Sequence, residues 1–511
     1  MQTLSDTLTN NITARVSLKE TFDWQLFVSI SALIVCGSFT YAIYPPPVNA
    51  AAFGLMVGFF YYNLHKQDLV SFFIQLLIGN FFVYGLKFGG NYNLSAFAAI
   101  VFYTAINGKI TFLQSSILDM AVKTALSIWC VFAFISTFGG NVFPFDIEIQ
   151  NFFAFGLMLF TFFFATRVRF TEDDFYKFII TISIFSGYEF LVAVNQKYVL
   201  YNSPFPFFPT IDASIEFYMG IVRSVSTLNN FEAFAEFSMS LITLLLPGIL
   251  SGTALKKSKS FYYLSLVTIV LCALSIVLSG TRSSILLLPF SFLTICLFLG
   301  RRLKIRLIIF MAFTMAVLFA ANSQFKLIDL DVFSERSEGL EVDQITLSSM
   351  LNGESMNRGG LFPYAFEQVK KTGIVGRGYF VTGNEYRAVH FKKGEMDDGI
   401  ADYHNLYMSS YVMFGAIGCI AMMFIFFYSL ARGWRTFWQL RRKDHFLLDL
   451  LLGFNVLFFY FLINQFKIQF IRDINYFTII MLLLSLYISL TWLLRQDAFI
   501  KRMDENKHIV L

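Results

Sequence analysis

Three arginines and a histidine stand out in a chain that otherwise uses few charges. Arg282 lies in Ser279-Gly280-Thr281-Arg282-Ser283-Ser284, where one cation interrupts a largely apolar run from Tyr262 to Leu299. Arg223 lies in Val222-Arg223-Ser224-Val225-Ser226-Thr227-Leu228-Asn229-Asn230, Arg358 opens Arg358-Gly359-Gly360-Leu361, and His404 stands in Tyr403-His404-Asn405-Leu406-Tyr407. Arginine's planar fork binds phosphate oxygens two at a time and stays charged at any physiological pH. Several arginines converging near a bilayer surface therefore suit an anion with more than one phosphate. A histidine beside them is the natural candidate for proton transfer near neutral pH. A charge in a membrane stretch is costly unless something anionic meets it, so Arg282 carries a functional expectation from its position alone.

The elements that must bring these residues together are membrane helices. Of the 511 residues, 56% are hydrophobic and 14% charged, against about 25% charged in a typical soluble domain. Apolar runs of span length recur from end to end, whereas a β-barrel would alternate with period two in segments of about ten residues. The expected fold is an all-α polytopic membrane protein with about fourteen transmembrane helices (12–14). Their limits fall at roughly 26–44, 48–62, 69–86, 94–107, 117–138, 150–166, 175–194, 231–250, 262–279, 283–299, 305–321, 405–429, 446–466 and 474–494. The fourth is short enough to be re-entrant. No secretory signal pattern opens the chain, and the five cysteines sit inside apolar runs, where they act as small hydrophobes.

Orientation follows from loop charge. With the N-terminus cytoplasmic, the inner segments hold 23 basic residues and the short outer segments six. This divides the chain into a cytoplasmic segment (1–25), transmembrane helices carrying Arg223 and Arg282 on the outer face (26–320), one large outer loop (321–404), C-terminal transmembrane helices (405–494) and a cytoplasmic tail (495–511). Arg223, Arg282, Arg358 and His404 then share one compartment. Of the five histidines only His390 and His404 fall on that side. A second outer stretch, Asn195 to Asn230, is rich in aromatics and proline and suits the bilayer interface.

Each residue also has a plainer role. Arg282 could snorkel to helix-end carbonyls, Arg223 could anchor the interface, and Arg358 and Arg377 could form salt bridges within the loop. His404 could cap or pack at the start of a helix. Glu232 and Glu236, spaced i, i+4 on the eighth span, are expected to neutralise Arg223 or Arg282, with a catalytic base as the alternative. Asp119 and Lys123, at the same spacing, are expected to form an ion pair. Asp397, Asp398 and Asp402 read as a solvated acidic turn, and no metal site is expected. Glu189 lies inside the seventh span with no partner that the sequence assigns.

From Arg223 to Gly418 the order of elements resembles the O-antigen ligase and polysaccharide polymerase superfamily of bacterial envelope glycosyltransferases. The resemblance rests on the Arg-then-Asn segment leading into a span, the Ser-Gly-Thr-Arg tip, and a long outer loop carrying Arg358. It continues through Thr372-Gly373-Ile374-Val375-Gly376-Arg377-Gly378, His404-Asn405-Leu406-Tyr407 and Phe414-Gly415-Ala416-Ile417-Gly418. The family's Pro-Asn pair after the first arginine stands here as Asn229-Asn230.

The resemblance implies a GT-C-like, metal-independent transferase without cofactor, whose donor is an undecaprenyl-diphosphate-linked oligosaccharide. Arg223 and Arg282 would clamp the diphosphate, Arg358 would help hold the donor or the loop, and His404 would accept a proton from the attacking sugar hydroxyl or orient it. Glu232, Glu236 and Arg377 are further candidates. The expected activity is a polysaccharide polymerase joining lipid-linked repeat units at the periplasmic face of the bacterial inner membrane. The glycan acceptor is its second substrate, a chain-length regulator is a further partner, and nucleic acid is not a partner. The alternative is an O-antigen ligase acting on lipid A core, which the count of fourteen spans, above the twelve usual for ligases, makes the second choice. A lipid-linked oligosaccharide flippase is the less favoured reading, since mid-span charges are few and the basic cluster is confined to one face.

Overall fold

The structure, a computed structural model, describes residues 24–41, 46–81, 91–139, 145–199, 223–228, 230–303, 305, 369–378, 405–466 and 474–496. Among them run thirteen long or apolar helices: α1 (Trp24–Tyr41), α2 (Pro46–His65), α3 (Leu69–Gly79), α4 (Asn91–Asn107), α5 (Met120–Gly139), α6 (Phe145–Ala165), α7 (Glu172–Val199), α8 (Phe231–Ser251), α9 (Lys259–Ser279), α10 (Arg282–Leu299), α11 (Leu406–Leu440), α12 (Phe446–Asn464) and α13 (Ile474–Leu494). Eight helices of the described residues are long and apolar enough to cross a membrane. The chain is a multi-pass helical membrane protein. Every expected span but the eleventh coincides with one of these helices, and the eleventh lies, past Ile305, outside the described residues.

The core centres on α8, of which only Phe231 and Ser240 are not buried. It packs against α9, α10 and α12. Asn230 starts the helix: its Oδ1 accepts from the amides of Glu232 (2.8 Å) and Ala233 (3.2 Å), satisfying donors that the first turn cannot. On the other side of the bundle α5 lies along α11, and α6 along α13. The fully buried Trp129 ring joins them, meeting Phe155, Phe414 and Phe477 edge-on or tilted at 5.3–5.8 Å.

Contacts between loops sort the helix ends into two sets. One set gathers Asp449, Arg302, Ser251 and Thr253, together with Asp444, His445 and Glu172. The other gathers Arg223, Ser279, Gly280 and Phe231, with Asn405, Gln465 and Phe466 at the α11–α12 side. Arg302 belongs to the first end. Gly376, whose amide donates to Ser136 Oγ near the far end of α5 (2.9 Å), belongs to the second.

The α11 helix is broken. Gly415 has φ 72° and ψ 179°, which frees carbonyls in the turn before it. The segment 372–378 repairs the break from outside. The amide of Arg377 donates to Val412 O (2.8 Å), that of Gly378 to Met413 O (3.1 Å), and that of Ala416 to Gly373 O (3.4 Å). A methyl group on Gly376 would overlap the Met413 carbonyl, and one on Gly415 the Ile374 carbonyl. Both glycines thus allow two backbones to touch where side chains would hold them apart.

Candidate functional site

Arg223 meets the hairpin tip. The α9 helix ends at Gly280, in the left-handed region at φ 60°, and helix ends leave carbonyls without intrahelical partners. The Arg223 guanidinium takes them up: Nε donates to Ser279 O (2.9 Å) and an Nη to Gly280 O (3.1 Å). Its carbon centre lies 3.4 Å from the centroid of the Phe231 ring, a cation–π contact. A cation here also complements the negative end of the helix dipole. The Ser224 amide donates to Leu278 O (3.1 Å), and Thr281 Oγ1 donates to Phe231 O (3.1 Å). The segment from 223 to 231 and the tip are thereby sewn together from both sides.

Arg282 opens α10 as its first residue, with Thr281 as N-cap. The Thr281 side chain makes no capping bond to the helix, being turned to Phe231. Ser283 and Ser284 follow, buried at 8% and 0% exposure, and neither hydroxyl has a hydrogen-bond partner among the described residues. An uncapped helix N-terminus with idle hydroxyl donors is an environment that favours an anion.

A third element fixes the arginine segment. Glu189, Ala193 and Gln196 lie on one face of α7 by their i, i+4, i+7 spacing. Ser224 Oγ donates to Ala193 O (2.8 Å). Gln196 Oε1 accepts from the amides of Val225 (3.1 Å) and Ser226 (2.8 Å), while its Nε2 donates to Ser226 O (3.0 Å). The Glu189 carboxylate, 1% exposed, accepts from Ser226 Oγ and Thr227 Oγ1 (both 2.6 Å) and from the Thr227 amide (3.3 Å).

Glu236 organises the opposite flank. It was expected to face an arginine, but its described partners are neutral: Asn464 Nδ2, Gln465 Nε2 (3.1 Å) and Tyr476 Oη (2.6 Å). These join α8 to the end of α12 and the start of α13. The same turn receives α11: the Leu406 amide donates to Gln465 O (2.9 Å) and Asn405 Nδ2 to Phe466 O (3.1 Å). Asn405 is also the N-cap of α11, its Oδ1 accepting from the Met408 amide (3.0 Å).

Of the residues singled out from sequence, Arg223, Glu232 and the backbone of Arg282 come together at this end, and Glu236 lies one turn below Glu232. The description of Arg282 stops at its backbone. His404 and Arg358 lie outside the described residues, as do His390 and Asp397, Asp398 and Asp402. Arg377 is placed elsewhere, on the α11 break beside α5. Asp119 does not pair with Lys123 as expected; its partners are Arg432 and Tyr428 Oη (3.0 Å) on α11, which reach it because α5 and α11 run side by side. Gln196, Thr281, Gln465 and Tyr476 were not anticipated. The signal available was a glutamate and a glutamine facing one way on α7, with nothing in the sequence to say what they faced.

Residues 267–423 match the family model described as O-antigen ligase. That stretch is similar to the O-antigen ligase family. No curated protein matches the chain. The matched stretch takes in most of α9, the tip with Arg282, α10 and the first half of α11 with its glycine break. It supports a glycosyltransferase-like enzyme of the O-antigen ligase and polymerase superfamily. Arg223, Glu189 and Glu236 come from outside the matched stretch and are brought to it by α7, α8 and the segment between them.

Proposed function

We propose that the chain is a polysaccharide polymerase that moves glycan from an undecaprenyl-diphosphate-linked donor to a sugar hydroxyl on another lipid-linked repeat unit. The observation that carries this reading is the seating of Arg223 on the Ser279–Gly280 carbonyls, 56 residues away in sequence. It sets two arginine positions side by side at an uncapped helix start, on a tip that lies within the stretch matching the O-antigen ligase family.

In this reading the acceptor oxygen attacks the anomeric carbon, the bond from that carbon to the diphosphate oxygen breaks, and the diphosphate leaves with the electron pair. Arg223, Arg282 and the first-turn donors of α10 meet the charge that develops on the leaving group, and preorganised donors of that kind are often the largest catalytic contribution. His404 takes the hydroxyl proton, and Arg358 holds the donor or the loop. Glu236 belongs to the frame and not to the proton path, because its oxygens are engaged by an asparagine, a glutamine and a tyrosine. In this reading the end faces the periplasmic side of a bacterial inner membrane, which the charge bias of the loops favours, and a chain-length regulator would be a natural partner.

The family description favours a second reading, an O-antigen ligase with lipid A core as acceptor. Incubation of the purified protein with lipid-linked repeat units alone separates the two. Chain lengthening without a second acceptor supports the polymerase. Transfer that begins only on addition of lipid A core makes it a ligase.

A further inference from the structure

Ser226 is one of two described residues other than glycine with positive φ, at 52°. A side chain in that region is strained and persists only where neighbours over-determine it. Every neighbour doing so here belongs to α7. Gln196 holds the Ser226 amide and carbonyl, and Glu189 holds the Ser226 hydroxyl and both the hydroxyl and amide of Thr227. The left-handed residue turns the chain from the irregular stretch at 223–225 into the short 3-10 turn at Ser226–Leu228 and so to Asn230 and α8. Three residues before that twist stands Arg223.

A glutamate buried in a membrane helix is costly, and the usual repayment is an ion pair or a role in transport. The described partners of Glu189 are instead three neutral donors on a single turn. We infer that Glu189 is a positioning residue for the diphosphate site: it locks the Ser226–Thr227 turn, which aims Arg223 at the Ser279–Gly280 carbonyls and so sets the tip that carries Arg282. This rests on the reading of Arg223 and Arg282 given above.

The role needs acceptor geometry more than negative charge. A glutamine can keep one oxygen on Ser226 Oγ and the Thr227 amide while its amide group donates to Thr227 Oγ1, whose hydroxyl both donates and accepts. The experiment measures glycan transfer from an undecaprenyl-diphosphate-linked repeat unit by the full-length protein in detergent or liposomes. It compares Glu189→Gln, Glu189→Ala, Arg223→Ala and the double variant Glu189→Ala/Arg223→Ala, each normalised to folded protein by its melting transition. A misplacement of about 1 Å can cost about 100-fold in rate. Glu189→Ala is therefore expected to lose about 100-fold in kcat/KM per folded molecule, with Glu189→Gln within a few-fold of the parent. The double variant is expected to be no slower than Arg223→Ala. Three results overturn the inference: parental activity in Glu189→Ala, losses that multiply in the double variant, or a Glu189→Gln as damaged as Glu189→Ala. If Arg223→Ala and Arg282→Ala are both fully active, the diphosphate site itself fails and Glu189 with it. If those two fail and Glu189→Ala does not, only the positioning role is lost. Should Glu189→Ala not fold, Glu189→Asp, which keeps the charge but withdraws the carboxylate from the Ser226–Thr227 turn, takes its place: a loss that does not multiply with that of Arg223→Ala is expected, and parental activity overturns the inference.

Discussion

At the Asp449 end of the bundle, cations face carboxylates. Arg302 meets Asp449 at 2.7 Å, Lys177 meets Asp68 at 3.4 Å, and Lys256 and Arg432 are bonded to Asp444 and Asp119. At the Arg223 end, the guanidinium lies on two carbonyls and an aromatic ring, while Glu189 and Glu236 accept from hydroxyls and amides. A carboxylate partner cancels a cation's charge and makes a joint. The Ser279 and Gly280 carbonyls and the Phe231 ring instead fix the direction of the Arg223 guanidinium at the tip that precedes Arg282. The first end is built as a fastening and the second as a mount.

The contrast is strongest where it can be broken. Asp449→Ala should be the most damaging change, because it leaves Arg302, 15% exposed, and the hydroxyls of Ser251 and Thr253 without their shared acceptor. Removing one partner of a buried pair costs about 3–5 kcal/mol. A large fall in melting temperature is expected, with activity per folded molecule unchanged. An active-site defect in this variant at permissive temperature would erase the distinction between the ends. Arg282→Ala should show the opposite profile. Its transfer rate should fall by about 100-fold or more, equivalent to about 2.7 kcal/mol, while membrane insertion and melting stay near the parent. If surface glycan chains are normal in cells carrying this variant, the Arg223 end is not the site.

Gly415→Ala probes the join between the two halves of α11. It forces a side chain into φ 72° and onto the Ile374 carbonyl. A stability loss of about 1–3 kcal/mol is expected, and limited proteolysis should open the segment around Gly376 before the helices themselves. Lys256→Ala should be nearly silent. Its partner Asp444 and Lys256 itself are 41% and 59% exposed, and exposed pairs are worth about 0–1 kcal/mol. A melting shift as large as that of Asp449→Ala would show that exposure does not rank the joints at this end.

Much of the frame was written in local pattern. Apolar runs long enough to cross a bilayer mark helices with no help from the rest of the chain, because in lipid each backbone must satisfy itself. Hence each described helix from α1 to α13 falls on an expected span, although α3 ends early at Gly79 and α11 runs on to Leu440. Asn230 and Asn405 each prove to be a helix cap, which the sequence reading did not single out. Arg223 and Arg282 could be named because a charge in such surroundings is conspicuous. What the residues touch was another matter. Glu189 reaches partners 37 and 38 positions away, Arg223 reaches 56, and Glu236 reaches 228 to 240.

Helix–helix register decides contacts at that range, and it depends on how apolar faces of neighbouring helices interlock, which no single segment encodes. Asp119 illustrates it: a nearby lysine on its own helix was the local guess, and packing of α5 on α11 supplied an arginine over three hundred residues away. The sequence by itself determined a multi-pass helical protein, the places where charge interrupts it and the helix starts. Only the tertiary structure decided that Arg223 is mounted on the tip before Arg282, and that two buried glutamates hold that end with neutral donors, because only folding brings α7 to the 223–228 segment and α8 to the end of α12 and the start of α13.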